Sequence, residues 1–132
     1  MNILWLTSPF KTEDILTNND VIWVYTENEK KEGGGSLQTW MRSSDKCMPI
    51  IYRSSVGKDG YWTDDNITKK EKIIKDSFHS LHTQIKQGKL IVLPVVEIEE
   101  AKVELDHNTE LLIKIFEKEF GLLCRFKMTT LL

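Results

Sequence analysis

The run Val21-Ile22-Trp23-Val24-Tyr25 has no polar residue and is rich in β-branched and aromatic side chains. A near-continuous apolar stretch of this kind suits a strand covered on both faces, and so demands layers of structure above and below it. Leu90–Leu93, closed by Pro94, reads the same way. Ile3–Leu6, ending near Pro9, and Pro49–Tyr52 read as shorter strands, with Pro49 expected at a strand start where its missing N–H does least harm. Asn18-Asn19-Asp20 marks a turn ahead of the first run.

Helical periodicities lie between these strands. Leu37, Trp40 and Met41 share one side of a short helix that Ser36 would cap. Ile67, Ile74, Phe78, Leu81 and Ile85 recur at helical spacing, with Thr63, Asp64, Asp65 or Asn66 as cap and Gly88 as stop. Asp106 or Asn108 is expected to open a last helix through Leu112, Ile115, Phe116 and Phe120, ended by Gly121. Leu122, Cys124 and Phe126 then alternate with Arg125 and Lys127, which predicts an edge strand with one wet face, although Leu123 breaks the alternation. Strands alternating with helices predict an α/β chain: one three-layer domain over residues 1–132, with helices packed on a mixed or mostly parallel sheet.

A chain of 132 residues is long enough to bury a core without staples. Its net charge of −2, with basic residues scattered among acidic ones, gives no footprint for duplex nucleic acid. Cys47 and Cys124 form no CxxC pair. Lys11, Glu13 and Asp14 soon interrupt the apolar start, so neither a membrane span nor a secretion signal is expected, and the expected location is the cytoplasm.

Ligands of open α/β sheets sit beyond the carboxyl ends of the strands. Two predicted loops leave such ends. The first, Glu27–Gly35, finishes in Gly33-Gly34-Gly35-Ser36 at a helix start, where glycines let main-chain N–H groups approach an anion; a merely flexible loop is the plainer reading. The second, Ser54–Asp65, carries Tyr61-Trp62, which could stack on a base or plug the core. Arg42 and Arg53 offer planar forks for phosphate if both face the crevice. Asp76, His79 and His82 could hold a metal by spacing, but surface or half-buried histidines are the simpler account, so no metal and no cofactor is expected. No nucleophile elbow, Walker loop or zincin motif occurs.

In order, these segments resemble a group of short, uncharacterised α/β proteins of bacteria and their phages that are distantly macrodomain-like. The pattern of that group runs Val-Phe-Gly-Asp-Asn, Gly-Lys-Gly-Gly-Gln-Ala, a helix arginine, Ile-Pro-Thr-Lys, then an aromatic-Ser-Asp-Asp stretch and a second glycine loop. Here Val24–Asn28, Gly33–Gly35, Arg42, Ile50–Arg53 and Tyr61–Asp65 take those places, with Asn28 matching and Arg53 keeping the charge. The second glycine loop is missing: Val95-Val96-Glu97-Ile98-Glu99-Glu100 follows Pro94. The resemblance implies a macrodomain-like or Rossmann-like fold. The first functional reading is a non-catalytic binder of a nucleotide or ADP-ribose-like molecule, with enzymatic activity left open, and the resemblance adds a phage counter-defence protein that sequesters a nucleotide signal as one setting. The site would comprise Asn28, Gly33, Gly34, Gly35, Ser36, Arg42, Arg53, Tyr61 and Trp62.

Two other readings stand beside it. The lost glycine loop, the acidic Glu97–Glu100 segment and four tryptophans fit a protein-interaction module that inhibits a host enzyme, since exposed tryptophans are frequent anchors. A hydrolase with Glu27, Asp64 or Asp65 as base is the third, with no partner residue placed beside any of them. Self-association is left open.

Overall fold

The computed structural model describes residues 2–17 and 20–131, the side chains as far as Arg125. Asn18 and Asn19 of the expected turn lie outside the described residues. Four strands, β1 (Ile3–Leu6), β2 (Val21–Asn28), β3 (Cys47–Arg53) and β4 (Leu90–Pro94), form one all-parallel sheet in the order β1-β4-β2-β3. The helices are α1 (Thr12–Leu16), α2 (Gly35–Arg42), α3 (Ile67–Lys86), α4 (Val95–Asn108) and α5 (Leu112–Leu131).

The apolar runs explain the three layers. Successive strand residues point to opposite faces, so an uninterrupted apolar strand needs two cores. Ile22 and Val24 of β2, with Ile91 and Leu93 of β4, join the core that α3, α4 and α5 cover. Trp23, Tyr25 and Val92 join Ile15 of α1 and Met41 of α2 in the core on the other face. In the larger core Phe78 is fully buried and meets Phe116 and Phe120 edge-on, with ring centroids 5.4 and 6.3 Å away. A buried aromatic of this size stabilises the fold by roughly 1.5–3 kcal/mol.

Three sequence expectations need correction. Pro49 sits inside β3 instead of opening it. β3 is an edge strand, and Ile51, two residues on, sends its N–H outward to Ser77 Oγ (3.3 Å), so position 49 faces away from the sheet and loses no ladder bond. Residues 95–108 form α4, where no helix is expected, and Asp106 and Asn108 lie in it instead of starting the last helix. Its buried residues Ile98, Ala101 and Leu105 recur at helical spacing. Finally, α5 runs through Gly121 and over the expected edge strand at residues 122–127. Leu112, Phe116, Phe120 and Leu123 are all buried on one helical stripe, which accounts for the residue that broke the alternation. A glycine inside a helix costs only about 1 kcal/mol relative to alanine, less than that stripe contributes.

Helix ends are closed by side chains that the sequence offers for other purposes. Asp64 does not cap α3, whose N-cap position Asn66 makes no side-chain bond. Its carboxylate instead accepts the N–H groups of Glu110 (2.8 Å), Leu111 (3.2 Å) and Leu112 (3.2 Å) at the start of α5. The Thr109 hydroxyl donates to Leu105 O (2.7 Å) and accepts from Ile113 N–H (3.1 Å), so it serves the end of α4 and the start of α5 together. Among the described residues no helix is long and apolar enough to cross a membrane.

Burial would raise the Asp64 pKa, but the three backbone donors and Lys70 outweigh it and hold the carboxyl below the ordinary aspartate value. Its contribution to stability is therefore in force above the unfolded pKa of about 3.9 and is lost as pH falls through the lower folded value. Asp64→Ala should cost about 1–2 kcal/mol at neutral pH and Asp64→Asn much less, since asparagine caps nearly as well. Urea denaturation of the three proteins measures this, and the gap between wild type and Asp64→Ala should close in strong acid.

Candidate functional site

The carboxyl ends of all four strands open on one edge of the sheet, where the residue after each strand must turn away. At the β2 end sits a buried charge. Glu27 is 1 % exposed and holds Arg42 of α2 by two bonds, Nε to Oε2 at 2.6 Å and Nη2 to Oε1 at 2.9 Å. Gln38, one turn before Arg42, donates to the same carboxylate (3.1 Å) and to Thr26 O (3.0 Å). The Asn28 N–H adds a fourth donor (3.0 Å). The arginine, held by the hydrogen bond to Glu27 although burial opposes its charge, has its pKa raised further.

The glycine loop is braced onto this pair. The Asn28 side chain donates to Glu32 O (2.9 Å) and accepts from Glu32 N–H (3.3 Å), and Arg42 Nη2 reaches Glu32 O as well (3.0 Å). Gly33, Gly34 and Gly35 all take positive φ, at 70°, 86° and 80°. A β-carbon at Gly33 would stand 2.6 Å from Val56 Cγ1, so glycine there lets the two rim loops touch. The loops are also tied by Glu29 N–H to Arg53 O (2.8 Å) and by the Trp62 indole N–H to Glu29 Oε1 (2.7 Å). This is a built loop, not a slack one.

Ser36 is not the cap of α2: Gly34 holds that position with no side-chain bond, so the first N–H groups of α2 face the rim without a cap, and no acidic residue lies in the first turn. Lys30 and Lys31, in the same loop, are exposed and, among the described residues, in no ion pair.

Two hollows adjoin here. One, of about 180 Å³, is mainly apolar and lies between α2 and the start of α4, against Phe10, Tyr25, Leu37, Met41 and Pro94. The other, of about 170 Å³, is polar and lies toward β3, against Glu27, Asn28, Glu32, Tyr52 and Arg53. Thr26, Gly34 and Gln38 line both. Burial and the nearby Glu27 carboxylate push the Tyr25 pKa up to about 12, so its phenol stays protonated at neutral pH.

Arg53 reaches the polar hollow but is largely engaged. It donates to Gly57 O, lies 4.8 Å over the Tyr61 ring and pairs loosely with Glu104 of α4, Nε to Oε2 at 3.5 Å. Both of those paired atoms are buried without a hydrogen bond. Burial lifts the Glu104 pKa, and Arg53 opposes the rise.

Of the nine residues read from sequence, Asn28, Gly34 and Arg53 line the polar hollow. Gly33, Gly35 and Ser36 flank Gly34 at the start of α2 but line neither hollow. Arg42 lies beneath the polar hollow and belongs to Glu27. Tyr61 is exposed at the far side, against Arg53. Trp62 takes the core-plug alternative: at 1 % exposure its ring offers no stacking face. Phe10, Thr26, Leu37, Gln38, Met41 and Pro94 were not singled out; the spacing of Gln38 and Arg42, one helical turn apart, is the signal that could have added Gln38.

The sequence matches DUF7831, a family of unknown function, over residues 6–119. The chain belongs to this family. No curated protein and no solved structure matches it. The DUF7831 span takes in every residue of the two hollows, from Phe10 to Glu97, and ends inside α5. In this DUF7831 chain α4 begins directly after β4, so residues 95–101 are helix where the resemblance places a second glycine loop. None of its four tryptophans is exposed: Trp23 and Trp62 are buried, Trp5 and Trp40 half-buried. Among the described residues no group of three or more His, Cys, Asp and Glu side chains is placed to hold a metal; His79 is exposed and His82 half-buried.

If the Glu27–Arg42 pair is the clamp described, Arg42→Ala strands a buried carboxylate and should cost about 3 kcal/mol or more, while Glu27→Leu with Arg42→Leu should cost distinctly less. Chemical denaturation of both variants tests this. An Arg42→Ala protein as stable as wild type would free Arg42 for a role in binding.

Proposed function

We propose that this DUF7831 chain is a non-catalytic binder of a nucleotide-like ligand, with the anionic part at Gly33–Gly35 and the start of α2. The observation that carries the reading is the run of three positive-φ glycines leading into an uncapped helix at the carboxyl edge of a parallel sheet. Main-chain N–H groups at such a helix start attract anions, and the carboxyl edge is where ligands of open α/β sheets sit. With Arg42 neutralised by Glu27 and Arg53 by Glu104, the positive potential at the rim comes from the backbone, with Lys30 and Lys31 adding exposed charge. Two of the three carboxylates that a hydrolase would use are committed elsewhere, Glu27 to four donors and Asp64 to α5, while Asp65 is exposed and accepts from the Thr63 hydroxyl, and it lines neither hollow; this favours binding over catalysis. Cytoplasmic sequestration of a nucleotide signal, as in phage counter-defence, is the setting this reading suits.

The test is a thermal-shift screen of the whole chain against mononucleotides, dinucleotides, ADP-ribose and cyclic oligonucleotides. A ligand at 100 times its Kd adds about 2.7 kcal/mol of stability, a plainly raised melting temperature. Gly35→Ala and Gly88→Ala make a matched pair, because both positions have positive φ and open space where the β-carbon would go. Each should lose about 1–2 kcal/mol through backbone strain, but only Gly35→Ala should lose the ligand-induced shift. Equal ligand shifts in the two variants would defeat the proposal.

A further inference from the structure

Resting on the reading above, we infer that the ligand is a nucleoside-type molecule lying across both hollows, with its heterocycle in the apolar one and Gln38 Oε1 accepting a hydrogen bond from its middle. Ligand pockets usually begin near 300 Å³, and neither hollow reaches that alone. They meet at Thr26, Gly34 and Gln38, so a single occupant with one apolar and one polar end gains the room that either hollow lacks.

The Gln38 amide is fixed at this waist. Its nitrogen faces Thr26 O and Glu27 Oε1, and since a carbonyl and a carboxylate only accept, the nitrogen must be the atom that points there. The oxygen is thereby turned toward Gly34, where it stands 2.2 Å from the place a β-carbon would occupy. Gln38 Oε1 accepts no hydrogen bond from any described residue. An oriented, unused acceptor between an apolar and a polar hollow suits a hydroxyl or N–H donor in the middle of the ligand, as a sugar supplies. The heterocycle then packs against Phe10, Leu37 and Met41 and not against Tyr61 or Trp62, which line neither hollow.

The experiment is an amide NMR titration of the full chain with the common ribonucleosides, their dideoxy forms and pyrophosphate as separate probes. The expected result is that at least one ribonucleoside shifts Phe10, Leu37 and Met41, its dideoxy form binds about tenfold more weakly, and pyrophosphate shifts Gly33–Gly35. Leu37→Trp, which fills the hollow, should abolish the nucleoside shifts and leave those of pyrophosphate. Nucleoside shifts centred on Tyr61, or unmoved by Leu37→Trp, would overturn the inference, as would equal affinity of ribose and dideoxy forms; the phosphate reading would survive any of these if the glycines still respond to pyrophosphate. Silence from every probe would remove the inference and the binding proposal together.

Discussion

Everything at the carboxyl edge hangs on one buried ion pair. A carboxylate at 1 % exposure is tolerable only with its charge matched and its lone pairs filled, and Glu27 has a bidentate arginine, an amide and a backbone N–H. Because two of those donors lie one turn apart on α2, the pair sets the angle at which that helix meets β2. Because Arg42 and Asn28 both reach Glu32, it also sets the path of the chain between them. Three successive left-handed glycines would be a poor way to build a loop that nothing held. Here the ends of the loop are fixed by hydrogen bonds that share one carboxylate.

The same economy runs through the rim. In a parallel sheet the connections leave a strand end, cross a face and return, which brings helix ends to the edge of the sheet whose N–H and C=O groups need partners wherever they are buried. Polar side chains near those ends are consumed in closing them. Asp64 closes α5 from a loop 46 residues earlier in sequence, and Glu29 receives the Trp62 indole while it pairs with Lys69. A carboxylate or arginine beside a glycine loop is thus, in this fold, a construction element first. What these contacts leave unused at the rim is mostly backbone, together with the Gln38 amide oxygen, which accepts from no described residue.

The strands were legible because their signal is local: apolar runs bounded by turn residues and prolines are the same in any context, and β2 was only three residues longer than Val21–Tyr25 suggested. α3 was legible for a similar reason, its apolar positions recurring from Ile67 to Ile85 over about five turns. α4 was not. Its apolar side is three residues, Ile98, Ala101 and Leu105, among glutamates, and it follows a proline that reads as the end of one element more readily than the start of another. The end of α5 misled because Leu122, Cys124 and Arg125 satisfy a period of two, and only Leu123, in phase with Phe116 and Phe120, marks the longer period. The site divides along the same line. Glycines and the loop they sit in are visible in sequence. Whether an arginine is spare or spent depends on a carboxylate 15 residues away, and no local pattern carries that.

The helix that replaces the second glycine loop also decides polarity. The starts of α2 and α4 both line the apolar hollow, and both present N–H groups that lack intrahelical partners. α2 has no acidic residue in its first turn, whereas α4 carries Glu97, which already lies against the apolar hollow. A carboxylate in that position answers the helix dipole and repels a second anion. On the proposed reading an anionic group therefore favours the start of α2 over the start of α4, where Pro94 and Glu97 line the apolar hollow. A chain with glycine loops at both helix starts could grip a ligand through phosphate alone. This one has an uncapped helix start beside a polar hollow and an apolar hollow next to it, so on the proposed reading its selectivity rests on a ligand whose two ends differ.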